Sequence, residues 1–159
     1  SLEQAMRRVS AIAVVHDTLA SGLNQEVNFD EVFERVLMLD GEMAASHGTT
    51  VNTIKDGKFG PLRSEVATTL AVVLTELVTN AVEHGLADRS GVVAVSAERS
   101  AKKLEIAVAD NGAGMTDGKI GNGLGTQIVR TLVEGELRGS IRWYSPTEGG
   151  TRAVLSMPI

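Results

Sequence analysis

The stretch AVADNGAGMTDGKIGNGLGTQIV, residues 107–129, joins two regular hydrophobic patterns through a loop that is rich in glycine. The first pattern alternates, is typical of a strand, and ends at Asp110. The second, from Leu124 onward, has helical spacing, with apolar residues at Ile128 and Val129. The loop between them is either a hairpin turn, since Asn-Gly is a common hairpin dipeptide, or part of a nucleotide pocket.

The glycine loop does not match either of two common phosphate-binding motifs. A P-loop has four residues between its first glycine and Gly-Lys-Ser/Thr. Here Gly114 and the glycine before Lys119 are separated by three residues, and Ile120 replaces the hydroxyl residue. A dinucleotide loop reads G-x-G-x-x-G, whereas residues 121–126 end in threonine without a surrounding βαβ unit. A plain loop and a binding site both remain open at this point.

Composition limits the classes of protein to which the chain can belong. The 159 residues suit one domain, and 43% hydrophobic content is enough for a core. No apolar run approaches the ~20 residues that span a bilayer, and the N-terminus lacks a signal-peptide pattern, so we expect a soluble, cytoplasmic protein. Without cysteine there are no disulfides or thiolate metal sites. A net charge of −5 without a Lys/Arg cluster argues against a nucleic-acid surface.

The hydrophobic pattern predicts an α+β fold. Helices are predicted at about residues 2–20, 30–46, 63–86 and 124–135, and strands at about 49–55, 92–99, 103–109, 140–144 and 151–157. Two pairs of consecutive strands are separated only by polar turns and are therefore predicted hairpins. The sheet should be mixed or antiparallel, with about three helices on one face and one additional helix at the N-terminus.

The helix predicted over residues 63–86 carries two polar residues beside its apolar stripe. Glu76 and Asn80 are four residues apart and lie on one face. Polar side chains at the edge of a buried stripe need partners. The Asn80 amide oxygen suits a hard cation, and the Glu76 carboxylate suits a base or a ligand of metal-bound water. For either residue alone, an exposed position on the helix surface is the simpler alternative.

Four short motifs then occur in a fixed order, at residues 76–85, 110–114, 121–125 and 149–151. They resemble the N, G1, G2 and G3 boxes of the GHKL ATP-binding fold, a superfamily that includes gyrase-type ATPases and sensor histidine kinases. Each box is weak alone, but four in order with workable spacing are a strong signal. The resemblance covers roughly residues 28–159 and implies a two-layer α/β sandwich.

The resemblance implies that ATP and Mg²⁺ bind to the chain. Asp110 would accept a hydrogen bond from the adenine amino group, and Thr151 would support Asp110 or a bridging water. Asn80 would hold Mg²⁺, and Glu76 would orient the attacking group or a metal-bound water. Further implied nucleotide contacts are Gly112 and Gly114 on the adenine side, Met115 and Lys119 in a short lid, Gly121, Gly123, Leu124 and Gly125 at the phosphates, and His84.

Residues 8–19, RVSAIAVVHDTL, resemble the end of the second dimerisation helix in the HisKA_2 subfamily of histidine kinases. The similarity is to soluble actinobacterial kinases that signal to RNA-binding, antiterminator-type response regulators. It implies a helix remnant at 1–20, a linker at 21–27 and a catalytic ATP-binding domain at 28–159. The implied partners are the histidine-bearing helix of the same kinase, outside this chain, a response regulator and a second copy of the full-length protein, with no direct contact to nucleic acid or membrane.

Three alternatives remain open. His16 could be a phosphoacceptor, because a His-Asp pair marks acceptors in other kinase subfamilies, although a packed helix histidine is the simpler interpretation. The chain could be a stand-alone anti-sigma-factor serine kinase of the same fold, which the helix at 1–20 argues against. It could also be a domain that has lost nucleotide binding.

Glu83 occupies a position where related kinases often have a lysine that reaches the phosphates. This departure argues against a basic phosphate clamp on the helix predicted over residues 63–86.

Overall fold

The computed structural model describes residues 26–46, 51–81, 91–111, 124–145 and 150–159. Within these ranges lie three helices, α1 (Phe29–Ser46), α2 (Ser64–Asn80) and α3 (Leu124–Gly135). The same ranges contain the strands β1 (Glu26–Asn28), β2 (Val51–Gly57), β3 (Pro61–Arg63), β4 (Gly91–Arg99), β5 (Lys103–Asp110), β6 (Ser140–Tyr144) and β7 (Arg152–Pro158). The predicted helix at 2–20 and the last residues of the helix predicted to reach 86 lie outside the described residues.

The main sheet has five strands in the order β2-β4-β5-β7-β6. Strand β2 is parallel to β4, and the other neighbouring strands are antiparallel. The β4–β5 and β6–β7 pairs are the two predicted hairpins, and the first closes with the Ser100 amide donating to the Lys103 carbonyl at 2.9 Å. The sheet is therefore mixed, which is one of the two arrangements that the hydrophobic pattern left open.

The three helices pack on one face of this sheet. Every second residue of the central strands is buried there, including Val95 of β4, Ile106 of β5 and Leu155 of β7. Helix α2 contributes Leu70 and Leu74 to the same core. Each buried aliphatic side chain of this kind stabilises the fold by roughly 1.5–3 kcal/mol. The sheet and the helices therefore form two layers, as the resemblance implied, and the helices lie on one face, as the hydrophobic pattern predicted.

A small second sheet, in which β1 pairs with β3, was not predicted. Glu26 and Val27 fall at the end of the linker that the resemblance implies, but here they belong to β1, and Val27 pairs with Leu62 across the two short strands. Arg99 fixes the chain beside them, because its Nη1 donates to the carbonyls of Phe59 and Pro61, each at 2.7 Å. Three-residue strands have no hydrophobic period, so long-range contacts of this kind determine them.

Asp30, in the first turn of α1, ties this helix to the turn between β2 and β3. Its carboxylate accepts hydrogen bonds from the Lys55 ammonium at 2.6 Å and from the Phe59 and Gly60 amides at 3.0 Å each. Burial raises the pKa of Asp30, but the hydrogen bond from Lys55 and those from the two amides outweigh it and lower this pKa below its ordinary value. The ionised Asp30 carboxylate therefore holds α1 to the end of β2 and the β2–β3 turn through these hydrogen bonds.

The contact region between α1 and the β2–β3 turn, called the joint below, also contains the ring of Phe59. This ring packs edge to face against Phe29 and Phe33, with ring centroids 5.0 and 5.1 Å away. The Lys55 ammonium lies 5.3 Å from the Phe59 ring centroid. All three phenylalanines of the sequence are thus used at one end of the core, where they hold α1 to the sheet.

Candidate nucleotide-binding site

Asp110 is the last residue of β5, and only 9% of it is exposed. It lies opposite Val93 of β4 and alternates with Val108, so it shares the helix-covered face of the sheet. Its amide donates to the Thr151 carbonyl at 3.0 Å. The structure therefore brings together two residues that the sequence separates widely and that the resemblance placed in one site.

The hydroxyl of Thr151 is buried and has no hydrogen-bond partner among the described residues. A buried hydroxyl without a partner costs roughly 1–3 kcal/mol. In this position, next to Asp110, it provides an unused donor and acceptor for a polar ligand or a bridging water. The residues present thus fit the adenine end of a nucleotide site.

Gly150 is what allows β7 to begin so close to Asp110. Its φ is +80°, a conformation that L residues rarely adopt. A Cβ at this position would collide with the carbonyl oxygen of Asp110. Sequence reasoning named Thr151 as a site residue but not Gly150, although the Gly-Gly-Thr order was the available signal.

Asn111 extends the pairing of β4 and β5 by one residue beyond Asp110. Its amide donates to the Val92 carbonyl at 3.3 Å, and its side-chain Oδ1 accepts from the Val92 amide at 2.9 Å. Strand β5 is paired on both sides, by β4 and β7. Both sides of β5 are therefore occupied, and Asn111 fixes the backbone that carries Asp110, whereas the hairpin alternative falls on a loop that lies outside the described residues from Gly112 onward.

Glu76 and Asn80 lie in the last turns of α2. Glu76 is 1% exposed, whereas Asn80 is partly exposed. The alternative of a solvent-exposed glutamate is therefore wrong, as helical spacing beside the apolar stripe suggested. In the described parts of the chain, no cluster of three or more acidic or histidine side chains could hold a metal ion.

Helix α3 begins at Leu124, at the end of the glycine loop, and agrees with the predicted bounds. Gly125 and the buried Thr126 occupy its first turn. Val129 and Val133 fix the helix in the core, so its N-terminal amides have a defined position. Free amides at a helix N-terminus favour anions.

Several predicted nucleotide contacts lie outside the described residues. They are His84, Gly112, Gly114, Met115, Lys119, Gly121 and Gly123. Their roles stay predictions. None of the three helices in the described ranges has the length and hydropathy of a membrane-spanning segment.

A family model of histidine kinase-, DNA gyrase B-, and HSP90-like ATPases matches residues 65–159. Two relatives are both called sensor histidine kinase PdtaS, one from Mycolicibacterium smegmatis and one from Mycobacterium tuberculosis. Each is 42% identical over 164 residues, covering 100% of this chain but only 33% and 32% of the relative. The chain thus spans about a third of the length of these curated relatives.

Solved structures show the same fold. The histidine kinase domain of a blue-light-activated kinase from Erythrobacter litoralis superposes with a TM-score of 0.81 and 25% identity, over 98% of this chain and 74% of that one. Histidine kinase ThkA, in complex with response regulator protein TrrA, gives a TM-score of 0.68 at 22% identity, over 92% of this chain and 46% of the ThkA chain. With the matching family model and the Asp110–Thr151 geometry, these similarities establish that the chain belongs to the histidine kinase-, DNA gyrase B- and HSP90-like ATPase family.

Proposed function

We propose that this chain is the catalytic ATP-binding domain of a two-component sensor histidine kinase. The observation that carries the proposal is the Asp110–Thr151 pair at the strand ends, where the Asp110 amide donates to the Thr151 carbonyl and the buried Thr151 hydroxyl has no hydrogen-bond partner among the described residues. The 42% identity to sensor histidine kinases extends over the whole chain and supports the kinase assignment. The activity of the longer protein would require segments beyond these 159 residues.

The adenine base would bind at the end of β5. The Asp110 carboxylate would accept a hydrogen bond from the adenine amino group, a contact to a charged group worth about 1.5–3 kcal/mol. The Thr151 hydroxyl would complete its own hydrogen bonding with the base or a water. Asn111 and Gly150 fix the backbone on either side of Asp110, so the carboxylate is oriented before the base arrives.

The phosphates would lie between the ends of α2 and α3. The N-terminal amides of α3 favour their negative charge. The Asn80 amide oxygen would hold Mg²⁺, which offsets phosphate charge when bound. Because the chain has a net charge of −5, the metal and backbone amides would carry most of this neutralisation.

Catalysis of this kind is mostly positioning and charge stabilisation. An imidazole nitrogen on another segment of the kinase would attack the γ-phosphorus. The bond to the β–γ bridging oxygen would break, leaving ADP and a phosphohistidine. Glu76, buried one turn before Asn80, would orient the attacking imidazole or a metal-bound water.

The phosphoryl group would then pass to an aspartate of a response regulator. Support comes from ThkA, whose structure with the response regulator TrrA shows that a kinase of this fold forms such a complex. The resemblance of residues 8–19 suggests an antiterminator-type regulator that binds RNA, a cytoplasmic kinase and a homodimer formed through the dimerisation helices.

A stand-alone anti-sigma-factor serine kinase is the second candidate. It uses the same fold, but the similarity to sensor histidine kinases covers 100% of this chain, including residues 1–27, which the resemblance places before the catalytic domain. We therefore favour the histidine kinase.

The test is phosphorylation of the chain extended upstream by its natural preceding helix. With Mg-ATP we expect acid-labile phosphohistidine, and much less of it with Asp110→Asn in the same extended protein at an ATP concentration that does not saturate wild type. Acid-stable phosphoserine on a partner protein would favour the anti-sigma-factor kinase. Absence of any phosphorylation in the extended protein, despite ATP binding, would contradict the proposed kinase activity.

A further inference from the structure

The main sheet has a second face, opposite the helices. It is formed by the residues that alternate with the core positions of each strand. The centre of this face is apolar and made mostly of small side chains: Val92, Ala94, Ala107, Ala109 and Val154. Ile54 and Tyr144 lie on the same face and are 55% and 43% exposed. Together with this apolar centre they form a contiguous apolar surface, which favours a protein interface.

The charges on this face are separated by sign. Carboxylates occupy the side of β2, β4 and β5, where Asp56 and Glu98 are exposed and Glu105 is half-buried. Arg142 and Arg152 occupy the side of β6 and β7, and both are exposed. The face therefore has an acidic half and a basic half on either side of an apolar centre.

The acidic half also contains an unfavourable pair. Glu98 and Glu105 lie directly opposite each other on β4 and β5. Like charges in this arrangement are destabilising. The Lys103 ammonium, 3.7 Å from a Glu105 carboxylate oxygen, offsets only part of this negative charge. The acidic half therefore keeps a net negative charge.

The strand register makes the two halves geometrically complementary to each other. One row of paired residues crosses all five strands in the order Asp56, Ser96, Ala107, Val154 and Arg142. The acid and the arginine lie at opposite ends, on the two edge strands, and the alanine lies at the centre. A two-fold axis along β5, between two sheets packed face to face, would place each Arg142 over the Asp56 of the other copy.

We propose that this face binds the same face of a second copy of the chain, with Arg142 of each copy paired to Asp56 of the other. An interface with two-fold symmetry must be self-complementary, and the bipolar row meets this requirement. With strands about 4.8 Å apart and a rise of about 3.4 Å per residue, the patch covers roughly 400 Å² per copy. Stable dimers bury about 800 Å² per partner, so the association is weak and sensitive to salt.

Charge reversal tests the proposal in the full 159-residue chain, with self-association measured by sedimentation equilibrium at low salt up to millimolar concentration. Asp56→Lys alone or Arg142→Glu alone makes both symmetric contacts repulsive, so each variant should self-associate at least about tenfold more weakly than wild type. An equimolar mixture of the two variants has both contacts attractive and should associate as well as wild type. The double variant should do the same.

The matched control is Glu134→Lys, an exposed acid on α3 in the helical layer, which should leave association unchanged. Circular dichroism of each variant shows that it is folded. Monomeric wild type over the whole concentration range would overturn the proposal. So would single variants that associate like wild type, or a mixture that associates no better than its components. Association that is insensitive to these reversals but lost on removal of residues 1–25 would assign the contact to that segment instead.

Discussion

At the scale of single residues, the adenine end of the candidate site depends on backbone geometry as much as on side-chain chemistry. Gly150 allows the chain that leads into β7 to pass close to the Asp110 backbone. The Thr151 carbonyl then accepts a hydrogen bond from the Asp110 amide. The Thr151 hydroxyl is left buried and unpartnered among the described residues. Substitutions at Gly150 and Thr151 should therefore change the stability of the ligand-free protein in opposite directions.

Gly150→Ala should destabilise the fold by about 1–3 kcal/mol, because the new Cβ meets the Asp110 carbonyl and the φ of +80° is strained for alanine. Urea unfolding measures this loss. Gly135→Ala is the control, since a Cβ there meets nothing within 4 Å and alanine favours the helix. Equal stability of Gly150→Ala and wild type would mean that β7 does not need glycine at this position.

Thr151→Val should preserve or raise the stability of the ligand-free protein, by up to about 1–3 kcal/mol, because it removes an unpartnered buried hydroxyl. The same change should weaken binding of an ATP analogue about tenfold, since one neutral hydrogen bond is lost. Thr151→Ser, which keeps the hydroxyl, should retain most of the affinity. A loss of stability without a loss of affinity would assign Thr151 a purely structural role.

At the scale of elements, periodic segments could be predicted from the sequence and short ones could not. Helix α3 has the predicted bounds because apolar residues such as Val129 and Val133 recur with helical spacing. Strands β1 and β3 are three residues long, and contacts such as Arg99 with Phe59 determine them from a distance. The role of Gly150 was missed for the same reason, because the close approach of two strands is tertiary information.

The joint between α1 and the β2–β3 turn should make stability depend on pH. The pKa of Asp30 is lower in the folded than in the unfolded chain, so its contribution is complete above the unfolded value of about 3.9 and is lost as pH falls through the folded value. Asp30→Asn should therefore cost about 1–3 kcal/mol at neutral pH, and the difference from wild type should narrow in acid.

Urea unfolding of both proteins across the acidic range measures this dependence. Glu34→Gln, an exposed carboxylate on the same helix, is the control and should leave the pH profile unchanged. A difference between Asp30→Asn and wild type that stays constant down to strong acid would show that ionisation of Asp30 does not hold the joint.

At the scale of the whole molecule, the two faces of the main sheet carry different groups of residues. The helix-covered face contains the core and, at the end of β5, the polar residues of the candidate site. The opposite face is free of these residues and carries the bipolar row from Asp56 to Arg142. Nucleotide binding and association of two copies can therefore be altered separately, and Asp56→Lys should leave nucleotide affinity unchanged.

The central claim is that Asp110 recognises adenine in an ATP site. Titration with a fluorescent ATP analogue, with and without Mg²⁺, tests it most directly on wild type and Asp110→Asn. We expect wild type to bind more tightly with Mg²⁺ and the substitution to weaken binding about tenfold to a hundredfold, which corresponds to the loss of a charge-assisted hydrogen bond. Circular dichroism and urea unfolding show that the variant is folded. Equal binding by the two folded proteins would contradict the assignment of Asp110, and no binding by wild type would contradict the nucleotide site itself.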